Sequence, residues 1–167
     1  MILLGLGANL DSRYGTPEKT LSECCALLEH HHIHIIKSSN IWKSAPVPIS
    51  DQPWYRNAVC HVDTSLSPCD LLKTLAGIED VSGRVRNARN AARVLDLDLL
   101  AYNDQVLDSH LLTLPHSRMH ERAFVLYPLQ EVAPQWVHPV LDMTVEAMID
   151  EMPSGQEIEC IGNSTLI

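Results

Sequence analysis

The chain has 167 residues, a formal net charge of −9, 46% hydrophobic residues and 20% charged residues. This composition excludes wholesale disorder and predicts one globular domain over residues 1–167, while the acidic charge argues against general binding of nucleic acid or of anionic membranes. The opening residues lack the basic start of a secretory signal, and no apolar run approaches the roughly 20 residues of a membrane span, so we expect a cytoplasmic protein. The five cysteines form no CxxC pair, and we expect them to be free thiols.

The first half of the chain is predicted to alternate strands with two helices. Each helix begins at a threonine or serine cap followed by proline, and its apolar residues recur at the spacing of one helical face. The strands are short apolar or alternating runs, and one proline-bearing segment is too polar and too broken for regular structure. In chain order the expected elements are a strand over 1–7, a helix over 16–28, a strand over 33–42, a loop over 44–53, a strand over 57–64 and a helix over 67–79.

The second half continues with a strand, a hairpin partner and two more helices. The expected elements are a strand over 94–102, an extended piece near 106–111, helices over 121–132 and 144–152, and a polar, loosely held tail over 153–167. Pro128 should kink or break the first of these helices. The order of elements predicts an α+β fold with a ferredoxin-like βαββαβ core, in which helices pack on an antiparallel sheet.

The most informative stretch is an arginine-rich segment that leads into the strand over 94–102. Four of the chain's 12 basic residues lie here, namely Arg84, Arg86, Arg89 and Arg93. Guanidinium groups fit phosphate oxygens bidentately and stay charged at any relevant pH. The arginines alone do not exclude a solvated loop with scattered salt bridges.

Two aspartates follow at the spacing of one strand face. Asp96 and Asp98 are two residues apart, so both carboxylates point to one surface of a strand, while Leu95, Leu97 and Leu99 point into the core. Left alone, the carboxylates repel each other and their pKa values rise. Mg²⁺ prefers hard oxygen ligands and removes that repulsion. With the arginines, the pair indicates a site for a Mg²⁺–nucleotide; the alternative is two exposed aspartates at a sheet edge.

A second group of polar and aromatic residues surrounds the start of the strand over 57–64. Tyr55 offers a flat aromatic face, and Asn57 offers both a hydrogen-bond donor and an acceptor. Such a pair suits a planar heterocycle with an amide-like edge. Tyr55 taken singly is equally compatible with packing on the core, and Phe124 and His116 are compatible with structural roles. No GxxxxGK[ST] segment is present, which excludes a P-loop.

Four segments occur in the order of a known family. They are GLGANL at 5–10, SAPV at 44–47 with DQPWYRNAV at 51–59, RNAARVLDLDLL at 89–100 and LPHSRMHERAFVL at 114–126. On these segments the chain resembles the 6-hydroxymethyl-7,8-dihydropterin pyrophosphokinase family of folate biosynthesis, over nearly its whole length up to about Pro139. It departs from the family pattern at 90–92, where many members have Trp-Gly-Pro, and at Ala76 and Leu111.

The resemblance implies transfer of a pyrophosphoryl group from ATP to the hydroxymethyl group of the reduced pterin, with release of AMP. It implies two Mg²⁺ ions, brought with ATP and held by Asp96 and Asp98, and catalytic roles for Arg84 and Arg93. The implied pterin site consists of Ser44, Ala45, Val47, Tyr55, Asn57 and Phe124, with Tyr55 and Phe124 on either side of the ring. The implied ATP site consists of Glu79, Arg86, Arg89, Thr113, His116 and Arg122.

Two other functions remain open on the residues alone. One is a non-catalytic module that binds a pterin or a nucleotide. The other is a Mg²⁺-dependent phosphodiesterase, although no base that would activate water is evident next to Asp96 and Asp98. AMP production separates an enzyme from a binding module, and a requirement for the pterin separates the two enzymes.

Overall fold

The computed structural model describes residues 1–84 and 92–166, with the backbone alone over 162–165. Within these ranges the elements, in chain order, are β1 (Ile2–Ala8), α1 (Pro17–His30), β2 (His34–Ser38), β3 (Asn40–Ser44), β4 (Tyr55–Asp63), α2 (Pro68–Val81), β5 (Asp96–Tyr102), β6 (Leu107–Asp108), β7 (Thr113–Leu114), a 3₁₀ turn (Met119–Glu121), α3 (Ala123–Val132), β8 (Val137–His138), β9 (Met143–Thr144), α4 (Val145–Glu151) and β10 (Ile158–Thr165). None of the described helices combines the length and the apolar character that crossing a membrane requires.

One antiparallel sheet carries the architecture. β1 lies inside the sheet, between β4 on one side and β5, the strand at one edge, on the other. β2 and β3 both pair with β4, and β10 pairs with β3 at the edge. The predicted α+β, ferredoxin-like arrangement is therefore confirmed, with the sheet order β10-β3-β4-β1-β5.

The sheet separates two apolar cores. Because successive side chains of a strand point to opposite faces, each central strand contributes to both. The core between the sheet and α1 and α2, called here the first core, contains Leu4, Leu6, Leu21, Leu75, Leu97 and Leu99. The core between the sheet and α3, called here the second core, contains Leu3, Val59, Leu100, Leu126 and Leu129. Leu95, Leu97 and Leu99 thus lie in the interior, as their spacing predicts.

The prediction of one strand over 33–42 was wrong. Residues 33–42 do not form one strand, because the strand is interrupted at Ser39. The Ser39 hydroxyl accepts a hydrogen bond from the Val59 N–H at 3.0 Å. β2 and β3 therefore pair with successive parts of β4 rather than forming one continuous strand. Pro128 does not break α3, which continues to Val132. A proline forfeits one helical hydrogen bond, and here its ring is buried with the apolar face of the helix.

The segment over 153–167, expected to be a loosely held tail, contains a strand. Residues Ile158–Thr165 form β10, in which Ile158 lies opposite Ser44 and Glu159 opposite Lys43. The Lys43 ammonium lies 2.8 Å from a Glu159 carboxylate oxygen across the pair. The edge of β3 would otherwise present unpaired N–H and C=O groups. The polar β10 can pair with these backbone groups, because a strand at the edge of a sheet forms its backbone hydrogen bonds without needing an apolar face.

Candidate active site

A cleft opens on the α3 face of the sheet, where β1, β4 and β5 change from apolar residues to polar residues and glycine. At one end of this face, β1, β4 and β5 contribute side chains to the second core. At the other end they line the cleft, through Gly5 and Gly7 of β1, Asn57 of β4, and Asp96 and Asp98 of β5. The two aspartates therefore share one face of β5, as their spacing predicts.

Glycines lie directly opposite the two aspartates. In the β1–β5 pair, Gly5 faces Asp98 and Gly7 faces Asp96, so no side chain from β1 fills the space beside the carboxylates. A Cβ atom at Gly7 would lie only 3.2 Å from the Asn57 Oδ1 atom, whereas one at Gly5 would make ordinary contacts at 3.5 Å with Leu100. Gly7 is thus the position where even a methyl group would crowd the Asn57 amide.

Three arginines surround the carboxylates. Arg84 Nη1 lies 2.9 Å from Asp96 Oδ1, and Arg93 Nη1 lies 2.5 Å from Asp96 Oδ2. Arg122 Nη1 lies 3.6 Å from Asp98 Oδ2. Burial raises the pKa of Asp98, and the charge of Asp96 raises it further. The expected repulsion between the aspartates is therefore present, and the arginines offset it in the free protein.

Glu79 occupies a different place from the one expected of an ATP contact. It is buried in α2 and does not line the cleft. One of its carboxylate oxygens accepts hydrogen bonds from the Leu97 N–H, at 2.7 Å, and from the Arg84 guanidinium. Burial raises the pKa of Glu79. Its visible role is to hold Arg84 next to Asp96 from the first-core side of β5.

Asn9 joins the loop over 44–53 to the segment that precedes β5. Its side-chain oxygen accepts from the Arg93 N–H at 2.7 Å, and its side-chain nitrogen donates to the Pro53 carbonyl at 3.0 Å and to Gln52 at 3.3 Å. Asn9 is almost fully buried, so these bonds are shielded from water. Its role was not predicted, because its partners lie 43 to 84 residues away in the chain.

The residues of the implied pterin site all line the same cleft, namely Ser44, Ala45, Val47, Tyr55, Asn57 and Phe124. The Asn57 side-chain nitrogen donates to the Ser44 hydroxyl at 2.9 Å, which fixes the amide and directs its oxygen toward Gly7. Phe124 is half-buried and packs against the second core while its ring also reaches the cleft. The Arg122 guanidinium lies 5.4 Å from the centroid of that ring.

The residues of the implied ATP site are only partly brought together. His116 and Arg122 line the cleft, whereas Thr113 is exposed on β7 outside its lining. Arg86 and Arg89 lie outside the described residues. The His116 Nδ1 atom accepts from the Arg118 N–H at 3.2 Å, which leaves the proton of the neutral ring on Nε2. Burial lowers the pKa of His116 and keeps the ring neutral near pH 7.

The carboxylates of the cleft suit a metal ion whose remaining ligands come from a bound substrate. Among residues 1–84 and 92–166, no group of three or more His, Cys, Asp or Glu residues is arranged to hold a metal ion. Asp96 and Asp98 alone offer two adjacent carboxylates. Mg²⁺ typically takes one or two protein carboxylates and completes its shell with water and substrate phosphates. The residues therefore fit Mg²⁺ bound together with a polyphosphate.

Residues 3–134 match the family described as 7,8-dihydro-6-hydroxymethylpterin-pyrophosphokinase. The 2-amino-4-hydroxy-6-hydroxymethyldihydropteridine pyrophosphokinase of Haemophilus influenzae is 41% identical over 137 residues, which cover 81% of this chain and 83% of that enzyme. The folic acid synthesis protein fol1 of Schizosaccharomyces pombe is 33% identical over 151 residues, which cover 90% of this chain and only 20% of that longer protein. A crystal structure of Plasmodium falciparum HPPK-DHPS shares the fold, with a TM-score of 0.69 at 14% identity over 90% of this chain and 45% of that one.

Proposed function

The chain belongs to the 7,8-dihydro-6-hydroxymethylpterin-pyrophosphokinase family, and we propose that it transfers the pyrophosphoryl group of ATP to the hydroxymethyl group of 6-hydroxymethyl-7,8-dihydropterin, releasing AMP. The reaction is a step of folate biosynthesis with two small-molecule substrates, carried out by a single domain in the cytoplasm. The observation that carries the proposal is that one cleft holds the carboxylate pair, Arg93 and Arg122 next to it and the six residues of the implied pterin site, while Arg84 pairs with Asp96 from outside the lining.

The pterin lies at the end of the cleft formed by the loop over 44–53 and the start of α3. The Asn57 amide, held by Ser44, offers its oxygen to a donor on the edge of the heterocycle. Tyr55 and Phe124 contribute aromatic faces for stacking, and stacking of a base on an aromatic side chain contributes about 1–3 kcal/mol. Backbone groups of Ser44, Ala45 and Val47 complete this end of the cleft.

The polyphosphate lies between the carboxylates and the basic residues. Asp96 and Asp98 would hold two Mg²⁺ ions, which supply charge neutralisation and polarise phosphate oxygens when bound. Arg84 and Arg93, which pair with Asp96 in the free protein, transfer their hydrogen bonds to phosphate oxygens. His116 carries its proton on Nε2 and donates from there, while Arg122 and the remaining basic residues of the ATP site, Arg86 and Arg89 among them, add positive charge.

The chemistry is a displacement at the β-phosphorus. The hydroxymethyl oxygen of the pterin forms a bond to that phosphorus and releases its proton to solvent water, and the bond from the phosphorus to the oxygen that bridges to the α-phosphate breaks. AMP leaves with the bridging oxygen. Such transfers depend mainly on positioning and on stabilising the charge of the transferring group, and Arg93 is placed to stabilise that charge because it lies beside Asp96 at the floor of the cleft.

The direct test is product analysis with the purified protein. With ATP, Mg²⁺ and 6-hydroxymethyl-7,8-dihydropterin, AMP should form in a one-to-one ratio with the loss of the pterin, and no AMP should form when the pterin is left out. Formation of ADP would show transfer of a single phosphate and overturn the proposal. AMP formation without the pterin would indicate a phosphodiesterase instead, and binding without turnover would indicate a non-catalytic module.

A further inference from the structure

Among the described residues, one arginine that lines the cleft forms no ion pair with a carboxylate. Arg84 and Arg93 pair with Asp96, and Arg122 lies beside Asp98. Arg118 lines the same cleft, is exposed, and forms no ion pair with any of the residues that the structure describes. Replacing an exposed arginine usually changes the stability of a protein little. The charges around Arg118 therefore decide whether it has a function.

Arg118 lies next to His116 in the lining of the cleft. Its backbone N–H donates to the His116 Nδ1 atom at 3.2 Å, which ties the backbone of Arg118 to the His116 ring. Its positive charge acts on both His116 and Arg122 and contributes, after burial, to lowering the pKa of each. The charges of Arg118 and Arg122 therefore repel each other in the free protein, and an anion between them would remove that repulsion.

The chemistry of the two substrates identifies that anion. The pterin and the adenine base are uncharged, so the polyphosphate chain is the only part of either substrate with strong negative charge. A guanidinium group forms paired, charge-assisted hydrogen bonds with phosphate oxygens. We propose that Arg118 is a further nucleotide-binding residue, which contacts the polyphosphate of ATP beside His116 and Arg122; this inference rests on the proposed function.

Equilibrium binding separates this contact from a general charge effect. Three variants are compared with the wild type: Arg118→Ala, Arg118→Lys and Lys73→Ala. Lys73 is exposed on α2, on the first-core side of the sheet, and pairs with Asp70 at 3.2 Å. Lys73→Ala therefore removes one positive charge at a position away from the cleft and serves as the matched control. Calorimetry then gives the affinities for α,β-methylene-ATP with Mg²⁺, for adenosine and for the pterin, and a thermal melt of each variant checks the fold.

Arg118→Ala should weaken binding of the ATP analogue about tenfold, which is the loss expected for one charge-assisted contact. Arg118→Lys should fall between Arg118→Ala and the wild type, because it keeps the charge and loses the planar fork. Binding of adenosine and of the pterin should stay at the wild-type value, and Lys73→Ala should bind the analogue normally.

Equal affinities of Arg118→Ala and Lys73→Ala for the ATP analogue would overturn the inference, as would an equal loss of adenosine affinity, since the contact would then not be with phosphate. Both results leave the proposed function intact when the wild type binds the analogue with Mg²⁺. If the wild type itself binds no triphosphate, the proposed function fails and this inference fails with it.

Discussion

The two faces of the central sheet are built by the same strands and differ in what those strands present. Toward α1 and α2, β1 and β5 place leucines such as Leu4, Leu97 and Leu99 in the first core. Toward α3, the same strands are apolar at one end only, and at the other they place Asp96, Asp98 and two glycines in the cleft. The alternation of a strand thus lets neighbouring residues of the same strand stabilise the fold and line the site.

The difference between the faces predicts a division of effects. Substitutions toward α1 and α2 should lower the free energy of unfolding and leave the activity of the folded molecules unchanged. Substitutions at the cleft end of the other face should reduce activity or binding and leave stability nearly unchanged. Neighbouring residues of β5 provide the sharpest contrast, because Asp98 and Leu99 are adjacent in sequence and point to opposite faces.

The largest expected effect is that of Asp98→Asn. The substitution keeps the size of the side chain and removes one of two adjacent charges, so kcat should fall by about a hundredfold or more, the loss typical when one electrostatic stabiliser of the transition state is removed. Metal-free stability should not fall, because burial and Asp96 already raise the pKa of Asp98 and so oppose its charge.

Leu99→Ala is the matched control for Asp98→Asn. Leu99 is 3% exposed in the first core, so its truncation should cost about 2–5 kcal/mol of stability and leave turnover per folded molecule at the wild-type value. Steady-state kinetics and chemical unfolding of both variants give the comparison. Full activity of Asp98→Asn at saturating Mg²⁺ would remove the carboxylate pair from the mechanism.

Arg93→Ala should have the next largest effect. Because Arg93 is placed to stabilise charge on the transferring group, kcat should fall more than tenfold, which corresponds to about 1.4 kcal/mol of transition-state stabilisation, while pterin affinity changes only a few-fold. Without nucleotide, Mg²⁺ should bind more tightly to this variant than to the wild type, because Arg93 no longer occupies the Asp96 Oδ2 atom.

Arg13→Ala is the control for Arg93→Ala. Arg13 is exposed and contacts the Tyr14 hydroxyl, outside the lining of the cleft, so both kcat and Mg²⁺ affinity should stay at the wild-type values. Wild-type kcat in Arg93→Ala itself would show that Arg93 is only a surface charge.

Phe124→Ala and Leu129→Ala separate the two roles of α3, which are to line the cleft and to pack in the second core. Phe124 reaches the cleft, so its truncation should weaken pterin binding by about 1–3 kcal/mol and spare ATP binding. Leu129 is fully buried in the second core, so its truncation should lower stability by about 2–5 kcal/mol and spare both affinities. Calorimetric titrations and thermal melts of both variants test this. A large fall in melting temperature of Phe124→Ala with unchanged pterin affinity would assign Phe124 to the core.

The smallest expected effect concerns His138, a buried polar residue on the α3 side that lies outside the cleft. Its Nδ1 atom accepts hydrogen bonds from the Val140 and Leu141 N–H groups, at 3.3 and 3.2 Å. Burial lowers the pKa of His138, and nearby His120 lowers it further. The unfolded chain therefore takes up this proton more readily than the folded protein, so the stability that the neutral ring contributes is present above pH about 6.5 and is lost as the pH falls below it.

His138→Asn tests this directly, because the side-chain oxygen of asparagine can accept from the same N–H groups and does not titrate. The melting temperature of the wild type should fall by a few degrees more than that of the variant between pH 7 and pH 5. Parallel pH profiles would show that other groups cause the acid sensitivity.

Features that depend on local periodicity were predictable, and features that depend on distant partners were not. The shared face of Asp96 and Asp98 follows from the two-residue period of a strand. The serine cap of α2 at Ser67 is also a local feature, and it is confirmed by the bond that the Ser67 hydroxyl accepts from the Asp70 N–H. The strand β10 was missed because its stability comes from the free edge of β3 rather than from its own composition.

The same limit applies inside the site. Glu79 was assigned to ATP by resemblance, but its visible partners are Leu97 and Arg84, and only the packing of α2 on β5 reveals them. Asn9 lies within the GLGANL segment, and its role could not be predicted because its bonds to Pro53 and Arg93 connect segments far apart in the chain. The six residues of the implied pterin site share one cleft, and they could be predicted as a group because the resemblance, unlike periodicity, already contains the long-range arrangement.

The central claim is that the cleft catalyses displacement at the β-phosphorus of ATP by the hydroxymethyl group of the pterin. The most direct measurement uses ATP labelled with ¹⁸O at the oxygen that bridges the α- and β-phosphates, with mass spectrometry of both products. The account predicts that all of the label appears in AMP and none in the diphosphate carried by the pterin. Label in released pyrophosphate or in the pterin product, or ADP in place of AMP, would contradict it.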